Sequence, residues 1–278
     1  MPRSLVHATD IDVLPLERIV ARRHNYMVIR SPSNPQHYWG NLLLFDDPPT
    51  VGDGSRWERL FDAELGGDPR IRHRTFAWDR VDGALGRARE EFVERGYEME
   101  DSFGLIANAE HVCSHPRENR EVVVRVLDPA AGRDEQWWGA VVELQVAARR
   151  ADAEARYRAF RHARLDDLRR LFRNGRGAWY VAHYPNSREP VASCGVVVTG
   201  GRGRFQDVDT AMAHRRRGIC SRLLAAAARH SGKLHGAQSF VIVADPGYHA
   251  ISLYESLGFE RNEHVYGVCQ WPPSDRAS

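Results

Sequence analysis

The stretch Asp207-Val208-Asp209-Thr210-Ala211-Met212-Ala213-His214-Arg215-Arg216-Arg217-Gly218-Ile219-Cys220-Ser221-Arg222-Leu223-Leu224 decides the fold. It opens as a strand, passes through a basic turn at Gly218, and enters an apolar helix over Leu223 to Ala228. A turn of this kind at a helix N-terminus aims free backbone N–H groups at one spot, and the helix dipole adds partial positive charge there. The pattern predicts a pyrophosphate site. Gly218 is expected to let the backbone approach the ligand closely, because it carries no side chain. Arg215, Arg216, Arg217 and Arg222 would add long-range attraction for phosphates.

A second segment lies downstream: Ala250-Ile251-Ser252-Leu253-Tyr254-Glu255-Ser256-Leu257-Gly258-Phe259. The interval between the two leaves room for one helix and one strand. Together they resemble the GCN5-related N-acetyltransferase (GNAT) superfamily. Arg215-x-x-Gly218-x-Cys220 is similar to its Arg/Gln-x-x-Gly-x-Gly/Ala acyl-CoA signature, and the second segment to its Ala-x-x-Leu-Tyr-x-x-Leu-Gly-Phe segment. The resemblance covers the C-terminal half well and the N-terminal half only through an internal repeat.

The resemblance implies a division of labour. The backbone of Thr210, Ala211 and Met212 would bond the pantetheine arm of acetyl-CoA or another acyl-CoA. The N–H groups of Arg215, Arg216, Arg217, Gly218, Ile219, Cys220 and Ser221 would cradle the pyrophosphate. Tyr254 would act as general acid toward the departing thiolate, its ordinary pKa of about 10 suiting that group. A primary amine, on a small molecule or a protein, would attack the thioester directly. The general base is left open among Asp209, Asp207, His214 and Glu143. Two departures stand out: Cys220 replaces the usual Gly or Ala, and Gly247 falls where many members carry Asn, which would remove one cofactor contact. A competing reading is an acyl-CoA-binding sensor that does not catalyse; retention of Tyr254 argues against it.

Working outward, the second half reads β-α-α-β-β-β-α-β-α-β. Strands are expected at 121–127, 177–184, 190–199, 205–211, 240–244 and 260–271, and helices at 134–148, 153–173, 220–230 and 249–257. That order predicts an α/β (α+β layered) domain. In the first half, a short element over 10–23, strands at 26–30, 39–45, 75–78 and 97–107, and helices at 56–65 and 83–95 are expected. The polar segment Ala109 to Asn119 reads as a linker. The ends of the halves look alike: Ala88 to Glu98 lies over Ala250 to Glu260, 162 positions apart (250 − 88). Part of that match is generic helix-stop chemistry at Gly96 and Gly258. Two GNAT-like lobes follow, each a mixed central sheet flanked by helices: a degenerate lobe over 1–110 and a catalytic acyltransferase domain over 121–278. Phe92 stands where the second copy has Tyr254, so the first copy lacks the acid.

Composition excludes other classes. The chain of 278 residues is 42% hydrophobic and 27% charged, as an ordinary globular protein is. A net charge of +2 argues against a dedicated nucleic-acid binder, although Lys233 is the lone lysine and arginine carries almost all the positive charge. The arginines between 149 and 176 are expected on a solvated helix face. Of Trp137 and Trp138, one is expected in the core. No apolar run is long enough to span a bilayer, and Met1-Pro2-Arg3-Ser4-Leu5 lacks a signal core, so a cytoplasmic location is expected. Cys113, Cys194, Cys220 and Cys269 are too scattered for a disulfide framework. His111-x-Cys113-x-His115 offers three ligands in a row, but no fourth is evident, so no metal is expected. Cys220 is expected to fill space rather than act as a nucleophile.

Overall fold

The computed structural model describes residues 1–148, 154–247 and 250–272. The expected helix starts at Ala153 and His249 lie outside the described residues. Along the first half run α1 (Leu5–Asp12), β1 (Ile19–Arg22), β2 (Tyr26–Arg30), β3 (Leu42–Phe45), α2 (Asp53–Leu65), β4 (Arg74–Trp78), α3 (Arg89–Glu94) and β5 (Glu98–Asn108). The second half continues with β6 (Val123–Val126), α4 (Glu135–Ala148), α5 (Glu154–Arg173), β7 (Gly177–His183), β8 (Ala192–Thr199), β9 (Arg202–Thr210), α6 (Ile219–His235), β10 (Ser239–Ala244), α7 (Ala250–Ser256) and β11 (Glu260–Gln270). The chain forms two compact units. One comprises residues 1–104 and the segment from Asn262 on; the other comprises residues 105–261.

In the first unit the strands run β1-β2-β3-β4-β11. All pairs are antiparallel except β3 with β4. The core is aromatic: the rings of Phe45 and Trp57 stack with centroids 3.7 Å apart, and Phe76 and Phe92 are fully buried beside them. A buried carboxylate fixes the start of α1. Glu263 accepts from the N–H groups of Leu5 and Val6 and from the Ser4 hydroxyl, satisfying donors that a helix start leaves unpaired.

In the second unit the order is β10-β9-β8-β7-β6, with β10 and β9 parallel and the rest antiparallel. Each unit is thus a mixed sheet flanked by helices. α6 buries Ile219, Leu223, Leu224, Ala227 and Ala228 along one stripe, spaced as a helix packed on a sheet requires. It ends at Gly236, in the left-handed conformation with φ +69°.

The differences from the sequence reading have physical causes. The helix expected over 83–95 is confined to Arg89–Glu94, because Gly83 and Gly86 adopt φ of +73° and +78°, outside helical space. The opening element divides into a helix at Leu5–Asp12 and a strand at Ile19–Arg22. A single 3₁₀ turn at Tyr38–Gly40 precedes β3. The arginine run of α5 is solvated only in part: Arg161, Arg164 and Arg169 are buried, while Arg173 is exposed. Arg161 pairs with Asp207, Arg164 bonds Gln206, and Arg169 pairs with Glu135. Each guanidinium therefore leaves water for a specific acceptor, the condition under which a buried charge is tolerated. Trp137 and Trp138 are both buried, with Arg169 over the ring of Trp138. The polar segment around 109–119 belongs to the second unit rather than standing between units, and the strand begun at Glu260 continues in the first unit against β4.

Candidate active site

The site is built where β9 and β10 part. Their parallel register ends at Arg204 and Val241, after which β9 continues to Thr210 against β8. β9 also holds a bulge against β8. Gln206 faces Gly195 and Asp209 faces Ser193, so two residues of β9 oppose one of β8. Asp207 takes φ +48° there, a left-handed conformation that a non-glycine residue adopts rarely. Bulges of this kind re-aim the side chains that follow. Beyond the bulge, strand alternation sends Val208 and Thr210 to one side and Asp209 to the other.

On the first side lies a cleft of about 600 Å³. Val208 and Thr210 form its floor, the turn from His214 to Ser221 one wall, and Ala250, Leu253 and Tyr254 of α7 another. Within the turn, Arg216 and Gly218 both adopt left-handed backbone, with φ of +59° and +72°. Alternation into that region turns successive N–H groups toward a common point. The N–H groups of Ile219, Cys220 and Ser221 fall in the first turn of α6, where no intrahelical partner exists. Among the described residues, four arginines and two histidines line the cleft, and no carboxylate does. A cavity with donors, cations and no competing anion fits a pyrophosphate-bearing ligand. Tyr254 is 4% exposed on α7 and lines the same cleft.

Gly218 owes its identity to a neighbour. An added Cβ would stand 2.1 Å from the carbonyl oxygen of Arg117. Gly258, which caps α7 with φ +94°, would place a Cβ 2.3 Å from the carbonyl oxygen of His111. The segment read as a linker thus crosses from the end of α7 to the start of α6. The N–H of Cys113 donates to Leu257, the N–H of Asn119 donates to Gly218, and the Asn119 amide donates to the carbonyl of Arg217. Sequence reading missed this strap. Its signal is faint: a polar run with Asn119, whose side chain holds the turn on one side and accepts from the Glu121 N–H on the other.

The expected site residues divide as follows. Thr210, the turn from Arg215 to Ser221, His214 and Tyr254 are brought together around the cleft. Arg215 is partly spent within the protein, its Nε donating to the Thr210 carbonyl. Ala211 and Met212 are not in the cleft lining. The Ala211 N–H donates to Val191 and its carbonyl accepts from His214, while Met212 is 59% exposed. Cys220 is half-buried and lines the cleft, and desolvation pushes its thiol up to about 12, so it stays protonated.

Asp209 lies on the other side of β9, with α5. Burial works against the charge on Arg161, but the carboxylates of Asp207 and Asp209 outweigh it and raise the arginine's pKa. Arg161 also donates to Gln145 of α4, 2.8 Å away. Glu143 is not part of this group. It pairs on the surface with Arg158 at 2.8 Å, and that hydrogen bond holds its carboxyl below the ordinary range.

The acetyltransferase (GNAT) family model matches residues 139–259, which hold the turn, β9, α6 and α7. Solved structures share the fold over nearly the whole chain. A protein of unknown function from Staphylococcus epidermidis has a TM-score of 0.68 at 13% identity, covering 92% of this chain and 94% of its own. A GCN5-related N-acetyltransferase from Kribbella flavida has a TM-score of 0.58 at 15% identity, covering 95% and 94%. A tandem GNAT protein from the clavulanic acid biosynthesis pathway has a TM-score of 0.57 at 16% identity, covering 96% and 89%. Among curated proteins none matches. At these identities the structures establish the fold, and the family match carries the domain. Residues 139–259 match the acetyltransferase (GNAT) family model, within a chain that shares its fold with a tandem GNAT protein.

Proposed function

We propose that the chain is an acyl-CoA-dependent N-acyltransferase that moves an acetyl group to a primary amine, with its chemistry in the domain over 121–278 and a degenerate lobe over 1–110. The observation that carries this reading is that the anion-binding turn and Tyr254 line one cleft free of carboxylates. Bound acetyl-CoA supplies an acyl group activated as a thioester. The N–H groups of Arg216 to Ser221 hold the pyrophosphate, and Val208 and Thr210 flank the pantetheine arm, taking the place expected of Ala211 and Met212. Tyr254 holds a proton at Oη for the leaving sulfur. Asp209, on the opposite face of β9, takes the amine's proton through water; His214 lies on the cofactor side, and Glu143 is tied to Arg158. The acceptor therefore enters from the side of α4 and α5.

The test is thiol release from acetyl-CoA with a panel of primary amines, alongside calorimetric titration of acetyl-CoA. Tyr254→Phe should lower kcat by about 10²–10⁴-fold while leaving acetyl-CoA affinity nearly unchanged. Binding without turnover for every amine would favour a sensor. An unaltered kcat in the variant would remove Tyr254 from the chemistry.

A further inference from the structure

The strap from His111 to Asn119 is fastened at both ends to the helices that wall the cleft. At α7, Cys113 bonds Leu257 through its N–H, and its thiol lies 3.6 Å from the carbonyl of Ser256. At α6, Asn119 makes two hydrogen bonds to the turn, and Glu118 pairs with Arg222 at 3.2 Å. Arg229 of α6 donates to the Ser114 hydroxyl. Between these fastenings His115 and Arg117 reach the cleft and line it. The Nδ1 of His115 accepts from the Arg117 N–H at 3.0 Å, which leaves the proton on Nε2 as a donor. Among the described residues no carboxylate pairs with the Arg117 guanidinium. Glu118 is the nearest acid in sequence; it is buried against Arg222 and lies outside the cleft lining.

The turn's own N–H groups answer the two phosphates of a pyrophosphate. Coenzyme A carries a third phosphate, on the ribose 3′ position. A cation and an oriented imidazole N–H, supplied to the same cleft by a different segment, match that remaining dianion. We infer that His115 and Arg117 form a 3′-phosphate subsite, so that the strap makes the chain selective for coenzyme A over its 3′-dephospho form. This rests on the acyl-CoA reading above. It also explains why two motif glycines face strap carbonyls: any side chain at Gly218 or Gly258 would displace the segment that carries the subsite.

The experiment is calorimetric titration of the full chain with coenzyme A and with 3′-dephospho-coenzyme A, for the wild type and for Arg117→Ala and Arg117→Lys. The wild type should bind coenzyme A about tenfold more tightly than the dephospho form, the worth of roughly one charge-assisted hydrogen bond. Arg117→Ala should lose that preference by weakening coenzyme A alone, and Arg117→Lys should recover part of it. Equal weakening toward both ligands would overturn the 3′ assignment, as would no change toward either. Equal affinities in the wild type would overturn it without any variant. Failure of the wild type to bind either ligand would instead remove the acyl-CoA reading, and the subsite with it.

Discussion

The corners at Gly96 and Gly258 are the same local structure in different surroundings. In the first, the Gly96 N–H donates to Val93 and the Tyr97 N–H to Phe92; in the second, the Gly258 N–H donates to Glu255 and the Phe259 N–H to Tyr254. Both glycines are left-handed, at φ +79° and +94°, and both corners release an 11-residue strand. Every one of these features repeats at an offset of 162. What differs is what the corner touches. An added Cβ on Gly96 meets nothing within 4 Å, whereas on Gly258 it meets the strap. Phe92 is sealed among Trp57, Phe76 and Tyr97, whereas Tyr254 opens onto a cleft. A repeated corner is thus a structural device first. It becomes part of a site only where a neighbouring segment leaves room beside it.

The comparison can be broken most forcefully at the glycines. Gly96→Ala should lose about 1–2 kcal/mol, the cost of a left-handed L-residue. Gly258→Ala adds overpacking against the strap, for a total of about 2–5 kcal/mol, and should weaken coenzyme A as well. Denaturant midpoints and calorimetry on both variants decide it; equal losses would mean that the strap yields freely.

The two units should differ in their response to acid rather than to alkali. In the first, burial lowers His73 to about 4, so its neutral form belongs to the fold. Its stability is retained above the ordinary value of about 6.5 and lost as pH falls toward 4, because the unfolded chain then binds a proton that the folded chain does not. In alkali both units lose a buried thiol's contribution, because burial raises Cys269 in the first and Cys220 in the second to about 12. Each contribution is complete below the ordinary thiol value and is lost as pH rises from there toward 12. Each effect is on the order of 3 kcal/mol at its limit. Amide exchange on the whole chain should show the first unit loosening in acid around His73; unchanged protection there as pH falls to about 4 would contradict the assignment.

A smaller effect is expected from Phe92→Tyr, which gives the first corner the hydroxyl of the second. It should confer no activity and should destabilise by about 1–3 kcal/mol, because the hydroxyl enters an aromatic core. A gain of turnover in a Tyr254→Phe background would show that the first corner also faces a usable site. The smallest effect is expected from Glu143→Gln. That pair is exposed and is worth about 0.2–1 kcal/mol, so thermal midpoint and turnover should both stay near the wild-type values.

Much of this was legible in the residues. The element order of the second half could be read from β-branched runs such as Val196-Val197-Val198 and from helical stripes such as that of α6, because periodicity is a local property. The left-handed turn was legible because Gly218 and the helix behind it are neighbours in sequence. The bulge at Asp207 was not, since it exists only as a mismatch of count between β9 and β8. The burial of Arg161, Arg164 and Arg169 was also hidden, because charge alone predicts solvent and only a partner 34 to 46 residues away, such as Glu135, Gln206 or Asp207, reverses that.

By itself the sequence determined the two helix–glycine–strand corners, the glycine turn into α6, and Phe92 at the place that Tyr254 holds in the second copy. All of these follow from residues within one or two turns of each other, where backbone preference and hydrogen bonding act directly. Only the tertiary structure decided that Val208 rather than Met212 meets the cleft, that Glu143 is spent on Arg158, and that a polar run is a strap. Those outcomes depend on which carbonyl or guanidinium arrives from a distant segment. Gly218 shows the division most plainly. Its left-handed turn is written locally, but the atom that forbids a side chain there, the Arg117 oxygen, is a hundred residues away in the chain and 2.1 Å away in space.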